Sequence, residues 1–575
     1  MIRPRHFFAL WSFALAAIMS SCTSQPTQEA DKIIFNAQIF CMEKEVISAE
    51  AMAIKNGIIL ELGTESEIMA YRGSSTTTLD AGGHFLMPGL IEGHGHLLMM
   101  GEALSQLNLA EAKNWQEIVD QVAGEAERKE PGEWIIGNGW HQDKWTVAPD
   151  RQQDGYPTHH SLSAVSPENP VLLFHASYHG LIANKKAMEL AGVNIHTPNP
   201  EGGLIRRSES GEAIGVFEET ASGLIYAGLL RERELWTEEE WKSQKREWAK
   251  QAQEEAFRHG ITSIHDLGLP MEDLQLLRSM AASGDLEIGI YAMLREPYSS
   301  LRKSVAELPI LREGASGFSA RTVKAFVDGA LGSYGALLLE PYSDQPTTHG
   351  QLVTPVEELE AMARLCAEND LQFSVHAIGD SANRIALNIF EGAFEDPKDL
   401  AQARWRIEHA QHLHPDDIPR FGQSDILASV QGIHCASDAP FVPTRLGEQR
   451  SREGAYVWRS LIDGGARINN GTDVPVEAID PFESLYASVA RKKPEAERAF
   501  YPEQKMSRLE ALQSYTINNA YAAFEEDIKG SLKPGKRADF ILLDTDLLNC
   551  SDHDIPATQV LMTVVGGKIV YEALK

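Results

Sequence analysis

Residues 236–264 read WTEEEWKSQKREWAKQAQEEAFRHGITSI, and this stretch decides the expected fold. Its opening part is rich in Glu, Lys, Gln and Ala, which favour a helix, and Gly260 is a typical helix end. The apolar run 261–264 is typical of a buried strand. The same helix-then-strand order recurs at 356–375 and 401–407. Since parallel strands need helical crossovers, the repetition predicts an α/β fold, and the chain length favours a (β/α)8 TIM-type barrel.

The two ends of the chain have a different pattern. Residues 32–87 contain short apolar runs, and Asn56-Gly57 between two of them favours a tight hairpin turn. Residues 526–575 contain similar runs, and Gly566-Gly567 separates the last two. The sequence therefore predicts a small β-sandwich domain built from both chain ends.

The region between these ends is predicted to be the barrel, at residues 88–525. Residues 110–235 within it are irregular and contain many Gly, Pro, Trp and His residues. We therefore expect long loops and an insertion over the active face there. A length of 575 residues suits an inserted barrel with a small additional domain.

The first residues are typical of an export signal. A basic head at Arg3 and Arg5 precedes the mostly apolar stretch 7–19, which is too short for a membrane-spanning helix. The following Ser20-Ser21-Cys22 resembles the lipobox of bacterial lipoproteins.

This pattern predicts a lipoprotein signal peptide at 1–21, with Cys22 as the lipidated first residue and 22–31 as a tether. The alternative is an ordinary signal peptide with an incidental Cys. We expect an exported protein that is anchored on the periplasmic or cell-surface side of a bacterial membrane.

The composition excludes several classes of protein. Lys and Arg number 52 against 82 Asp and Glu, so the formal net charge is -30. Binding to nucleic acid or to anionic lipid headgroups needs a basic face, so neither partner is expected. The 5 Cys residues include no Cys-x-x-Cys pair, which excludes a disulfide scaffold.

The first chemical signal is His94-Gly95-His96. It follows 85–91, an apolar run with the pattern of a buried strand. Side chains two residues apart point to the same side of a strand, so both imidazoles can reach one metal ion. In a barrel, the carboxyl end of a strand lies at the catalytic mouth.

Polar side chains end or interrupt four further apolar runs. Lys324 lies inside one of them, and His376, His409 and Asp473 lie at the ends of the others. A buried Lys needs compensation, because an unpaired charge in the interior is costly. Each residue alone has an ordinary explanation as a core residue or helix cap. Five strand ends that all offer N or O ligands instead favour a metal site.

Six motifs contain or follow these residues: PGLIEGHGH (88–96), KAFVDG (324–329), VHAIGD (375–380), RIEHAQ (406–411), GTDVPV (471–476) and GSLKPGKRADF (530–540). With these motifs in this order, the sequence resembles a known family, the metal-dependent amidohydrolases of family 3, close to the N-substituted formamide deformylase group. The resemblance covers nearly the whole mature chain. One departure is Glu92-Gly93, where Asp followed by a small polar residue is commoner.

The resemblance implies a site for one or two divalent ions, usually zinc. His94 and His96 would hold one ion, and His376 and His409 the other. Lys324, carboxylated by carbon dioxide, would bridge them. Elementary chemistry supports a carboxylated Lys324, because formation of the carbamate replaces the buried Lys cation with an anionic oxygen ligand.

Asp473 would ligate the first ion and accept the proton of the attacking water. The implied activity is hydrolysis of a C–N bond, amide or formamide-like, in a small molecule. Deamination or hydrolysis of a cyclic amide by the same site is an alternative, and a non-catalytic binding lipoprotein is another. A homodimer is a further expectation.

Weaker candidates for substrate contact surround this set. The resemblance places a substrate-facing His near His179. Trp140 lies in the predicted insertion, and Gln431, His434 and Asp438 follow an apolar run. For these residues, packing or solvation explains the pattern about as well as substrate contact does.

Overall fold

The computed structural model describes residues 28–43, 48–109, 112–140, 145–153, 155–175, 180–200, 203–332 and 334–573. The predicted signal peptide, Cys22 and most of the tether lie outside these residues. Within the described ranges, no helix is both long and apolar enough to cross a membrane.

The centre of the molecule is one parallel sheet of eight strands, each hydrogen-bonded to the next. We number these barrel strands 1 to 8; the last lies beside the first, where Asp473 N donates to His94 O at 2.7 Å. The predicted TIM-type barrel is therefore confirmed. Ile310–Glu313 is an added strand, antiparallel to barrel strand 4. Barrel strands 1 to 8 are Leu90–Gly95, Ile261–Leu269, Gly289–Leu294, Phe318–Phe326, Gln372–Ala377, Arg406–His409, Leu427–Gln431 and Ile468–Gly471.

The helix that the opening stretch predicts is present as Glu238–Arg258. Thr237 caps it, and the side chains of Thr237 and Glu240 each accept a hydrogen bond from the other's backbone N–H. Gly260 follows with φ of 76° and leads into barrel strand 2. The other helices of the barrel region are Leu97–Leu104, Met271–Ser283, Tyr298–Ser304, Val356–Glu368, Asp380–Gly392, Pro397–Ala403, Ile418–Gln423, Gly432–Asp438, Val442–Leu446, Glu448–Gly454, Trp458–Asp463, Pro481–Ala490, Arg508–Ser514 and Ile517–Ala522.

The two chain ends meet in one sheet. Phe540–Leu543 pairs antiparallel with Phe85–Pro88. Ile34, Met52 and Phe540 belong to one buried apolar cluster that joins this sheet to a second one. A separate β-sandwich domain stays a prediction. In spatial order the strands are Lys568–Glu572, Val560–Val565, Phe540–Leu543, Phe85–Pro88, Gln38–Phe40 and Ser48–Ala49 in the shared sheet, and Ile58–Gly63, Ala51–Lys55, Ala30–Phe35 and Arg72–Asp80 in the second.

The region 110–235 contains five strands of a six-stranded sheet, whose sixth strand is Leu107–Asn108. The prediction of long loops there was therefore wrong, and an insertion over the active face stays a prediction. Apolar clusters lie around Leu173 and Phe217. Gly137 and Gly139 interrupt the apolar pattern of one strand, which hides it in the sequence. In spatial order the strands are Gly203–Arg207, Ala213–Glu219, Gly180–Ala183, Val171–His175, Ile135–Trp140 and Leu107–Asn108; the helices are Trp115–Ala126, His160–Val165, Lys185–Leu190 and Ser222–Arg233.

Candidate metal centre

The first group of ligands lies where barrel strands 1 and 8 meet. The Nε2 atoms of His94 and His96 lie 3.4 Å and 3.2 Å from Oδ1 of Asp473. Asp473 follows strand 8 with φ of 62°, a left-handed conformation that costs energy for a residue other than glycine. The ligand atoms of the three side chains lie within 4.8 Å of one another, so one ion can contact all three.

The second group lies at the ends of barrel strands 5 and 6. The ring centroids of His376 and His409 are 4.4 Å apart, and that of His409 is 4.7 Å from that of His94. Nδ1 of His409 lies 2.8 Å from Oε1 of Gln431. With Nδ1–H donating to this oxygen, Nε2 of His409 keeps its lone pair for an ion.

Burial favours the neutral form of three imidazoles, those of His96, His376 and His409. Burial, with the charge of Lys324 adding to it, lowers the pKa of His376 to about 3. Burial also lowers the pKa of His96, and it lowers that of His409 well below the ordinary value. Neutral imidazole is the form that binds a metal ion. Burial alone would lower the pKa of His94 too, but the carboxylates of Asp473 and Glu408 raise it.

Lys324 lies near the end of barrel strand 4 and lines the same cavity as the histidines. Its side chain is buried, and no carboxylate among the described residues forms an ion pair with it. The Nζ atom lies 5.2 Å from the ring centroid of Phe326. Burial lowers the pKa of Lys324 to about 8 although the charges of Glu408 and Asp473 oppose the shift, so more of the amine is neutral near pH 7 to 8 than in an exposed Lys.

A buried carboxylate, Glu408, supports the first ligand group from behind. Its Oε2 accepts a hydrogen bond from Nδ1 of His94 at 2.7 Å. Nε of Arg406 lies 2.5 Å from Oε1, and Oγ of Ser374 donates to Oε1 at 2.7 Å. Although burial opposes ionisation, Arg406 and His94 hold the pKa of Glu408 well below its ordinary value. Glu408 therefore fixes the His94 tautomer and directs Nε2 toward the ligand group.

A second carboxyl group, Glu92, joins barrel strand 1 to the turn after strand 8. Its Oε1 accepts hydrogen bonds from His94 N at 3.0 Å and from Thr472 N at 2.8 Å. Burial raises the pKa of Glu92 to about 8. Gly471 leaves room for it, because a Cβ there would lie 2.1 Å from Oε1. Glu92, where Asp is commoner in the family that the sequence resembles, thus positions the backbone at His94 and Thr472.

The ligand groups line one side of a cavity of about 430 Å3. The lining also includes the apolar residues Phe326, Ile378 and Phe441, and the polar residues His434 and Asp438. The structure thus brings together all six residues predicted as metal ligands: His94, His96, Lys324, His376, His409 and Asp473.

Two of the weaker candidates for substrate contact do not line the cavity. Trp140 is buried in the core of the insertion, and its Nε1 donates to Leu173 O at 2.8 Å. It does not line the cavity, which corrects the prediction of a substrate contact. Gln431 is buried behind His409 and orients that ring, so it too is corrected, to a positioning residue. His179 lies outside the described residues.

Sequence reasoning missed Glu408 and its partner Arg406. Both lie in barrel strand 6 and are fully buried. Their spacing of two residues in an otherwise apolar strand is a signal that could have placed them on one side of the strand, inside the barrel.

The protein is an eight-stranded parallel barrel with clustered His and Asp side chains, a candidate metal site, at the carboxyl ends of its strands, where barrel enzymes place their active sites. The model of the "Amidohydrolase family", Amidohydro_3, matches residues 77–571, and the chain belongs to this family. This confirms the resemblance that the sequence motifs indicated.

Similar proteins come from plants, bacteria and archaea. The chain is 34% identical to "Protein LONG AFTER FAR-RED 3" of Arabidopsis thaliana, over 94% of this chain and 92% of that protein. It is 27% identical to "N-substituted formamide deformylase" of Arthrobacter pascens, over 95% and 99%. An uncharacterized metal-dependent hydrolase from Pyrococcus furiosus superposes with a TM-score of 0.71 at 28% identity, over 90% and 100%. Together with the family match, these similarities make the protein a hydrolase.

Proposed function

We propose that the protein is a metal-dependent amidohydrolase that cleaves an amide or formamide-like C–N bond of a small molecule. The observation that carries this proposal is the convergence of six N or O donors on one cavity at the barrel mouth. Similarity to a formamide deformylase over nearly the full length of both chains supports the same bond type.

The donor set fits one or two divalent ions, and zinc fits it best. His94, His96 and Asp473 would hold one ion, and His376 and His409 would hold the other. Imidazole and carboxylate oxygen are suitable zinc ligands, and manganese or iron accepts them as well. A bound ion would supply a Lewis acid and would bring the pKa of water toward neutrality.

Asp473 moves the proton in the proposed reaction. Burial would raise its pKa, but His94 and His96 lower it well below the ordinary value, so the carboxylate starts unprotonated. It accepts a proton from the attacking water as the C–O bond forms, and donates that proton to the departing nitrogen as the C–N bond breaks. The products are a carboxylic acid and an amine.

Lys324 would join the two ligand groups as a carbamate. The ammonium first loses one proton. The neutral amine then attacks carbon dioxide, so that a C–N bond forms, one C=O bond gives its π electrons to oxygen, and a second proton leaves the nitrogen. Loss of the two protons and addition of carbon dioxide convert a buried cation to an anion. Support comes from its place among the ligands and from the absence of a compensating carboxylate ion pair within the described part of the chain.

The proposed function predicts that Asp473→Asn abolishes amide hydrolysis and leaves most of the metal bound. The test measures turnover of N-formyl and N-acyl amines, cyclic ureas and aminopurines, with elemental analysis of the same samples. Turnover by Asp473→Asn would contradict the mechanism. If the wild type turned over only the cyclic ureas or the aminopurines, the deaminase or cyclic-amide alternative would be favoured. Less than one metal equivalent in the wild type would favour a binding lipoprotein.

We also propose that the enzyme acts outside the cytoplasm, held to a bacterial membrane by a lipid on Cys22. The supporting observation is the sequence of residues 1–22, which ends in Ser-Ser-Cys. Metabolic labelling with palmitate, compared between the wild type and Cys22→Ala, tests this proposal.

A further inference from the structure

One histidine of the cavity, His434, is used by neither ligand group. It lies on the short helix Gly432–Asp438, directly after barrel strand 7, and is 8% exposed. Its ring is nearly parallel to that of His409, with centroids 6.3 Å apart and planes at 9°. Its ligand atom lies within 4.8 Å of those of His409 and Asp473. The three side chains could themselves hold an ion, so the role of His434 depends on which of its nitrogens carries the proton.

Hydrogen bonding distinguishes the two nitrogens of this ring. Nε2 of Gln411 lies 3.2 Å from Nδ1 of His434, and its amide N–H donates to this nitrogen. A neutral imidazole that accepts at Nδ1 carries its proton on Nε2. Nε2 is buried and has no hydrogen-bond partner in the part of the chain that the structure describes. The ring thus presents an unused N–H donor.

The backbone around His434 is fixed by neighbouring elements. Gly432 N donates to Asn470 Oδ1 at 2.9 Å, and Ile433 N donates to Ser484 Oγ at 3.2 Å. A Cβ at position 432 would lie 2.5 Å from the backbone oxygen of Ser484, so only glycine permits this close approach. The donor is therefore held in place before substrate arrives, which is what electrostatic stabilisation of a transition state requires.

We propose that His434 is a catalytic residue whose Nε2–H donates a hydrogen bond to the carbonyl oxygen of the scissile amide. As water adds, negative charge develops on this oxygen, and the donor stabilises it. This assignment rests on the proposed function. It also separates His434 from the metal ligands, because an N–H cannot donate a lone pair to an ion.

The experiment compares the Co²⁺-loaded wild type with His434→Leu and His434→Gln. The first variant removes the donor, and the second keeps an amide N–H of similar reach. Cys435→Ala is the control, because it alters the same helix at a buried position outside the cavity. The measurements are metal equivalents, the visible Co²⁺ spectrum, a spectral titration with formate and the hydrolysis of formanilide.

We expect all variants to keep the metal content and the Co²⁺ spectrum of the wild type. Formate, a carboxylate product of formamide hydrolysis, should bind at least about tenfold more weakly to His434→Leu. The kcat for formanilide should fall by about 10² to 10³, and His434→Gln should recover part of it.

Two results would overturn the assignment. A lost metal equivalent or a shifted Co²⁺ spectrum in His434→Leu would make His434 a ligand. Unchanged formate binding and unchanged kcat would make it a packing residue. If the wild type binds metal but hydrolyses no amide, the proposed function fails, and the formate titration then shows only whether His434 donates to a bound carboxylate.

Discussion

Single residues behind the candidate ligands decide which ring nitrogen faces the candidate metal centre. Glu408 holds Nδ1 of His94, and Gln431 holds Nδ1 of His409, so both rings direct Nε2 toward the cavity. Arg406 stabilises the charge on Glu408 and also donates to Gly93 O at 2.9 Å. Ligand orientation and charge balance thus depend on one buried network.

Glu408→Gln should weaken metal binding by about 10-fold to 100-fold, because a neutral amide polarises His94 less and leaves Arg406 uncompensated. Competition with a chelator of known affinity measures this effect. The matched control is Ser429→Ala, whose hydroxyl accepts from Arg406 at 2.7 Å but contacts no ligand. Equal metal affinity in Glu408→Gln and the wild type would refute a positioning role.

At the scale of single elements, the start of one helix shows how a single carboxylate can make two stabilising contacts. The helix Arg508–Ser514 begins with a capping box between Ser507 and Glu510. Glu510 also forms an ion pair with Arg459 of a neighbouring helix. The Arg459 hydrogen bonds lower the pKa of Glu510 to about 2, and Ser507 contributes although burial opposes the shift. One carboxylate therefore caps a helix and joins it to the next.

Glu510→Gln should lower the unfolding midpoint near pH 7, and the difference from the wild type should shrink as pH falls. The folded-state pKa is about 2 against an ordinary 4.5. The contribution is therefore fully present above about pH 4.5 and is lost as pH falls toward 2. Urea unfolding at several pH values measures this. The control Glu239→Gln, at an exposed position, should change the unfolding midpoint little. If the difference in midpoint between Glu510→Gln and the wild type did not depend on pH, the ionisation of Glu510 would not contribute to stability as predicted.

At the scale of the whole molecule, the two chain ends pair in one sheet, and this sheet leads directly into the strand that carries residues of the candidate metal centre. Phe85–Pro88 pairs with Phe540–Leu543, and the same segment continues through Gly89 into barrel strand 1. The N–H of Gly89 donates to Asp539 O at 3.0 Å. The strand that carries His94 is therefore anchored by residues at the far end of the chain.

Deletion of residues 538–575 should greatly reduce soluble yield and metal content, because it removes the partner of Phe85–Pro88 and exposes a buried sheet face. The control deletion of 568–575 removes only a partly exposed edge strand and should cost less. Expression yield and elemental analysis compare the two. Wild-type metal content after the longer deletion would refute the connection.

The sequence by itself predicted the barrel from local patterns. It also predicted the six candidate ligands, because polar side chains end or interrupt apolar runs and the motifs around them resemble a known family. The helix-then-strand order of 236–264 and the His94-Gly95-His96 spacing are both readable along the chain. Only the tertiary structure brought Glu408 against His94 and His434 against His409. The hydrogen bond between His94 and Glu408 joins residues 314 apart in sequence. Such pairs depend on which strands become neighbours, and no local periodicity encodes that.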